Sequence, residues 1–155
     1  MASGWTNRGK YANLNLWFRN TATQLTSIYC ALFTSATSPT VDIDTFSQLT
    51  EIAAGNGYTT GGYQLTRNDT DFDVLTEDDA NDRALCQAKD IVWSASGGSI
   101  PDTGDGARWA CFTDANATIA SREIHHWFDL VSDRQVSDGQ NLTLQDCEAR
   151  INTPA

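Results

Sequence analysis

Lysine is nearly absent from this chain: it occurs only at Lys10 and Lys89, and 10 basic residues stand against 20 acidic ones, a formal net charge of −10. An average surface of that sign repels phosphate and lacks the basic stripe from which counterion release draws its energy, so nucleic acid is not an expected partner. Anionic membranes are disfavoured for the same reason, and no apolar run reaches the roughly 18–20 residues needed to cross a bilayer, so a soluble chain without a membrane partner is expected. Behind Arg8 and Lys10 there is no apolar stretch of the kind a secretory signal carries, which points to synthesis and folding in a cytoplasm. The sequence holds no C-x-x-C pair, and Cys30, Cys86, Cys111 and Cys147 lie too far apart to outline a zinc site. They read as reduced, buried, structural thiols. G-x-S-x-G, H-E-x-x-H, phosphate-loop and dinucleotide fingerprints are all missing, so no catalytic residue and no cofactor is expected.

What the chain does have is apolar and aromatic content: 40% hydrophobic residues with 5 Trp, 4 Tyr and 6 Phe, too much for a disordered polymer. Its 155 residues suit one domain, residues 1–155. Tyr11, Leu14 and Phe18 recur at spacings of three and four, with Trp17 alongside, which predicts a short amphipathic helix over Asn7 to Arg19, capped by Thr6 or Asn7. Gln24 to Thr34 is β-branched, aromatic or apolar almost throughout and reads as a central strand buried on both faces. Ile43, Phe46, Leu49 and Ile52 then suggest a second short helix opening near Asp42, with Asp44 able to cap it. From Gly57 to Tyr63 the glycines announce a bend with positive φ feeding a strand through Leu65. Four more strands are signalled at Arg83–Trp93, Ala107–Thr113, Glu123–Leu130 and Asn141 to about Ile151, separated by polar turns at Gly97–Gly106, Asp114–Asn116 and Ser132–Gly139. Strands that recur with turns and no helices between them favour a mainly β, antiparallel β-sandwich or jelly-roll-like domain with a short N-terminal helix. Asn152–Ala155 reads as a loose tail.

Two clusters carry a flavour of chemistry. His125-His126, beside Glu123 and Asp129, has metal or general-base residue types, but neighbours on a strand point to opposite faces, so the two imidazoles cannot share an ion without a bulge. Packing or interface histidines are the expectation. Asp69, Asp71 and Asp73 start like a calcium loop, yet Val74 stands where glycine should turn the chain and Ala80 where a bidentate glutamate should close the site, leaving a solvated acidic loop. Asn-x-Thr triplets at Asn68, Asn116 and Asn141 read as turn chemistry. Residues 1–19 precede the first strong strand and concentrate aromatics and arginine, the types enriched at binding hot spots, so Trp5, Arg8, Tyr11 and Trp17 are the expected interface with another subunit. Trp5, outside every expected element, is the first candidate to bury itself in another molecule. The alternative is that the helix folds back and plugs one end of the sandwich.

Several stretches, taken in order, resemble a family of small bacteriophage virion proteins that includes head-decoration or cement proteins. They are Asn7-Arg8-Gly9-Lys10-Tyr11 with Trp17-Phe18-Arg19, Leu49 to Ile52 through Gly57 to Tyr63, Asp82-Arg83-Ala84 with Ile91-Val92-Trp93, Ala107 to Ala110, and Phe128-Asp129-Leu130 before Val136 to Leu142. The resemblance implies a virion structural subunit, not an enzyme, with no catalytic or metal residues to carry over. It implies a homo-oligomer (dimer or trimer) on the capsid surface, assembled in the host cytoplasm, that bridges neighbouring major capsid subunits. A tail, connector or baseplate component is the alternative it leaves open, as is a receptor- or carbohydrate-binding module, for which the loop Gly97–Gly106 is the candidate.

Overall fold

The computed structural model describes residues 2–19 and 25–152. Gln24, where the first long strand was expected to begin, and Thr153 to Ala155 of the expected tail lie outside the described residues. The fold is mainly β, 44% strand against 14% helix, with antiparallel sheets and one short N-terminal helix in a sandwich-like arrangement. A five-stranded sheet has the order β1 (Ser3–Trp5), β8 (Ile124–Arg134), β7 (Ala107–Thr113), β2 (Ser27–Phe33), β3 (Tyr63–Thr66). A three-stranded sheet runs β10 (Cys147–Asn152), β5 (Arg83–Ala88), β4 (Val74–Asp78), and a two-stranded one pairs β6 (Ile91–Ser94) with β9 (Asn141–Leu144).

The five-stranded sheet is covered on both faces, which is why β2 and β7 are apolar at nearly every position instead of alternating. On one face Cys30, Leu32, Leu65, Ala110, Phe112 and Phe128 pack with Ala88, Ile91, Trp93, Leu142, Leu144 and Cys147 from the two smaller sheets. On the other, Ala31, Phe33, Cys111 and Ile124 pack with Phe46 and Leu49 of the connection that follows β2. That connection is not the expected helix: it makes one 3₁₀ turn, Phe46–Gln48, and Thr45 rather than Asp44 is its N-cap residue. The Phe46 amide donates to the Arg122 carbonyl (2.8 Å) and the Ile124 amide to the Asp44 carbonyl (2.9 Å), so pairing with β8 takes up the backbone a longer helix would use.

Two strands expected to be continuous are broken. Arg83–Trp93 divides at Lys89-Asp90 and Asn141–Ile151 at Gln145-Asp146, and the breaks face each other, because Ala88 is opposite Cys147 and Ile91 opposite Leu144. Asp146 turns with φ +55°, and Gln145 Nε2 donates to Asp90 Oδ2 (2.9 Å) across the gap. The result is one long ribbon bent at its middle, whose halves meet different parts of the large sheet. β8 in turn runs on to Arg134, through part of the expected turn Ser132–Gly139. The glycine bend is as expected: Gly57, Gly61 and Gly62 all have positive φ, and a Cβ on Gly62 would sit 2.1 Å from the Cys30 carbonyl oxygen.

Candidate functional site

The N-terminal helix α1 (Asn7–Phe18) is fastened at its start. Thr6, fully buried, caps it by accepting from the Gly9 amide (2.9 Å) while its hydroxyl donates to the Ile124 carbonyl (2.5 Å) and its amide to the His125 carbonyl (3.1 Å). A Cβ on Gly9 would lie 2.2 Å from the His125 carbonyl oxygen, so glycine lets the helix backbone rest directly on β8. Arg8 pairs with Glu123, and this bond holds the Glu123 carboxyl below its ordinary range and the guanidinium above. The helix thus folds back onto the sheet along one face.

The four expected interface residues separate. Trp5 is not outside the elements: it ends β1, a strand of three residues too short to show alternation, which is paired antiparallel with β8. Its Nε1 donates to the Arg150 carbonyl (2.6 Å), and its ring meets His126 edge-on at 5.0 Å. Arg8 is occupied by Glu123 and lies over the Tyr11 ring at 5.0 Å. Tyr11 and Trp17, in contrast, stand on the outer face of the helix with Leu14 and Phe18, and their exposures of 56, 81, 59 and 81% make this the largest group of uncovered apolar side chains on any one element. Residues 1–19 also carry Arg8, Lys10 and Arg19 with no acidic residue, a basic end on a chain of charge −10.

The paired histidines show a feature the sequence did not reveal. Phe112 is opposite His126, but Thr113 is opposite Ile124, so His125 is one extra residue in β8. This bulge moves Ile124 to the second face of the sheet while His126 and Phe128 stay on the first, and it brings both imidazoles into the wall of one cavity. The cavity, about 370 Å³, lies between α1, the five-stranded sheet and the three-stranded sheet, with Leu16, Ile28, Phe72, Leu85 and Phe112 in its wall. His126 is 2% exposed, its ring packs between Trp5 and Phe128, and its Nδ1 is buried without a hydrogen-bond partner. Burial pushes its pKa down to about 4. His125 is lowered as well, by burial against the opposing pull of Glu123 and Asp114, and its buried Nε2 stands 3.6 Å from Glu123 Oε2, beyond hydrogen-bond reach.

The acidic segment is dispersed by β4, which runs through it. Asp71 pairs with Lys89 (2.5 Å) and accepts from the Thr66 amide, and Asp78 pairs with Arg83 (2.7 Å). Among the described residues no three His, Cys, Asp or Glu side chains are grouped to hold a metal ion. The loop Gly97–Gly106 is pinned by Asn56, whose side chain donates to the Ser99 carbonyl (3.0 Å) and Asp102 (2.8 Å). No described helix is long and apolar enough to cross a membrane. Comparison of the chain with models of known families, with curated proteins and with solved structures finds no match.

Proposed function

We propose that this protein is a structural subunit of a bacteriophage particle, a capsid cement or decoration protein that bridges neighbouring major capsid subunits as a homo-oligomer. The observation that carries the reading is the outer face of α1. A helix locked to the sheet through Thr6, Gly9 and Arg8 offers Tyr11, Leu14, Trp17 and Phe18 to the outside. Rigid aromatic side chains lose little entropy on docking, and tryptophan and tyrosine dominate the energetics of protein interfaces. Lys10 and Arg19, beside the stripe, suit an acidic partner surface, while the acidic remainder suits the outside of a shell and is disfavoured beside packaged DNA. Repetition over a particle then sums weak contacts into a large effect. The ordered stretches that resemble virion proteins support the same reading.

The test uses particles that lack the protein. Trp17→Ser, at a position 81% exposed, should leave unfolding stability within about 0.5 kcal/mol of the parent and weaken particle binding by at least about tenfold, the order of one hot-spot residue. Unchanged decoration by this variant and by Tyr11→Ser would move the interface elsewhere. Copy number separates the roles: cement is present in a ratio near that of the major capsid protein, whereas a tail, connector or baseplate component is present in a handful per particle.

A further inference from the structure

We infer that the protein pairs with a second copy of itself by laying the outer face of α1 on the open end of that copy's three-stranded sheet, each copy giving its helix to the other about a two-fold axis. This names the partner of the α1 face, and so rests on the reading of that face as an interface but not on the capsid. The receiving surface follows from the register of β10, β5 and β4. On the core-facing side of this sheet Ala88 and Cys147 are opposite each other and buried, Cys86 and Ala149 next to them are half-buried, and Ala84 and Ile151 beyond are exposed. Leu75 is opposite Cys86 and Glu77 opposite Ala84, so both stand on this same side. A sheet face that belongs to the core at one end thus runs out into solvent at the other, with Leu75 and Ile151 exposed at 80 and 62%.

Charge and area say what covers it. Glu77 and Asp79 share one open concavity with Leu75, Ala84 and Ile151. Neither is in an ion pair among the described residues, whereas Asp71 and Asp78 are held by Lys89 and Arg83. Residues 69–82 include seven acidic residues and no basic one; residues 1–19 include three basic residues and no acidic one. Of those three, Arg8 is taken by Glu123, while Lys10 and Arg19 are exposed beside the aromatic stripe. An apolar stripe flanked by cations therefore matches an apolar strip flanked by carboxylates, and both are on the same chain. Within one copy α1 turns Ala12 and Leu16, not the stripe, towards this sheet, so the match is made between copies. Tyr11, Trp17 and Phe18, aromatic side chains that bury about 150–250 Å² each, supply roughly half of the ~800 Å² per partner of a standard interface. Leu14, Leu75 and Ile151 extend it. A reciprocal two-fold contact is closed, so association ends at the dimer instead of growing into a fibre.

The experiment is sedimentation of the full chain at low ionic strength, without particles. The parent should dimerise reversibly, and Trp17→Ser and Leu75→Ser, both at exposed positions, should each weaken the dimer at least about tenfold, the order of one hot-spot residue. Lys10→Glu with Arg19→Glu sets acid against acid, and Glu77→Lys with Asp79→Lys sets base against base, so each double variant alone should sediment as a monomer. Mixed one to one, both contacts of a heterodimer again join opposite charges, and association should return. A parent that stays monomeric up to about 100 µM, well above the micromolar dissociation constant of a weak interface of this size, would overturn the proposal. So would a dimer unchanged in both serine variants, or folded double variants that do not associate on mixing. A dimer that fails to decorate particles would uphold this inference and overturn the capsid reading, and decoration by a protein that is monomeric throughout would do the reverse.

Discussion

At the scale of single residues the informative groups are those whose burial conflicts with their chemistry. His126 has a folded pKa of about 4 against an ordinary 6.5, so as pH falls the unfolded chain takes up its proton first. The stability contributed by the neutral imidazole is complete above pH 6.5 and is lost as pH falls through the window down to about 4, a change on the order of 3 kcal/mol. His125, shifted in the same direction, steepens the slope. Urea unfolding between pH 7 and pH 4 should show this decline in the parent and a shallower one in His126→Phe; parallel curves would mean that the histidine does not carry it. The cysteines give a second expectation. All four are free, Cys30, Cys111 and Cys147 are buried, and burial raises every one of the thiols, Cys147 to about 12. A thiol-reactive dye should therefore label the native protein slowly and at Cys86 alone, and label all four sites after denaturation.

At the scale of elements, glycine decides where pieces meet. Gly9→Ala would gain about 1 kcal/mol of helix propensity, but the added carbon would stand 2.2 Å from the His125 carbonyl oxygen, a backbone atom of a paired strand that cannot swing away. The clash outweighs the propensity, and a net loss of about 1–3 kcal/mol is expected, with α1 amides losing hydrogen-exchange protection before those of β8. Gly62→Ala combines a φ of +83° with a contact of 2.1 Å to Cys30 and should open the pairing of β2 with β3. The amphipathic period over Asn7–Arg19 was legible because spacings of three and four are local. The short β1 was not, since three residues hold no period and the Ser3-Gly4-Trp5 segment becomes a strand only because the edge of β8 is there to receive it, with Gly4 close over the Trp127 ring.

At the scale of the whole molecule, stability rests on the two clusters that sandwich the five-stranded sheet. EDTA and reductant are accordingly expected to leave the melting temperature unchanged, and a fall of more than about 10 °C on adding EDTA would show that an ion is bound. The sequence by itself determined the class of the fold: apolar runs over β2 and β7, polar turns between strands and glycines at the bend are local signals, and they pointed to a mainly β, antiparallel structure with a short N-terminal helix, although the second short helix expected near Asp42 is a single 3₁₀ turn. It also outlined the aromatic face of α1, because the spacing of Tyr11, Leu14 and Phe18 is written along one short segment. Only the tertiary structure decided which aromatics stay outside, since Trp5 is drawn onto β10 and His126 while Trp17 is not. The cavity was likewise invisible beforehand. It depends on a one-residue bulge at His125, which arises from the register of β7 against β8, and on side chains from α1, β2, β5 and β7 that converge only when the bent ribbon closes over the large sheet. Register and convergence are relations between distant segments, and no local pattern in the chain encodes them.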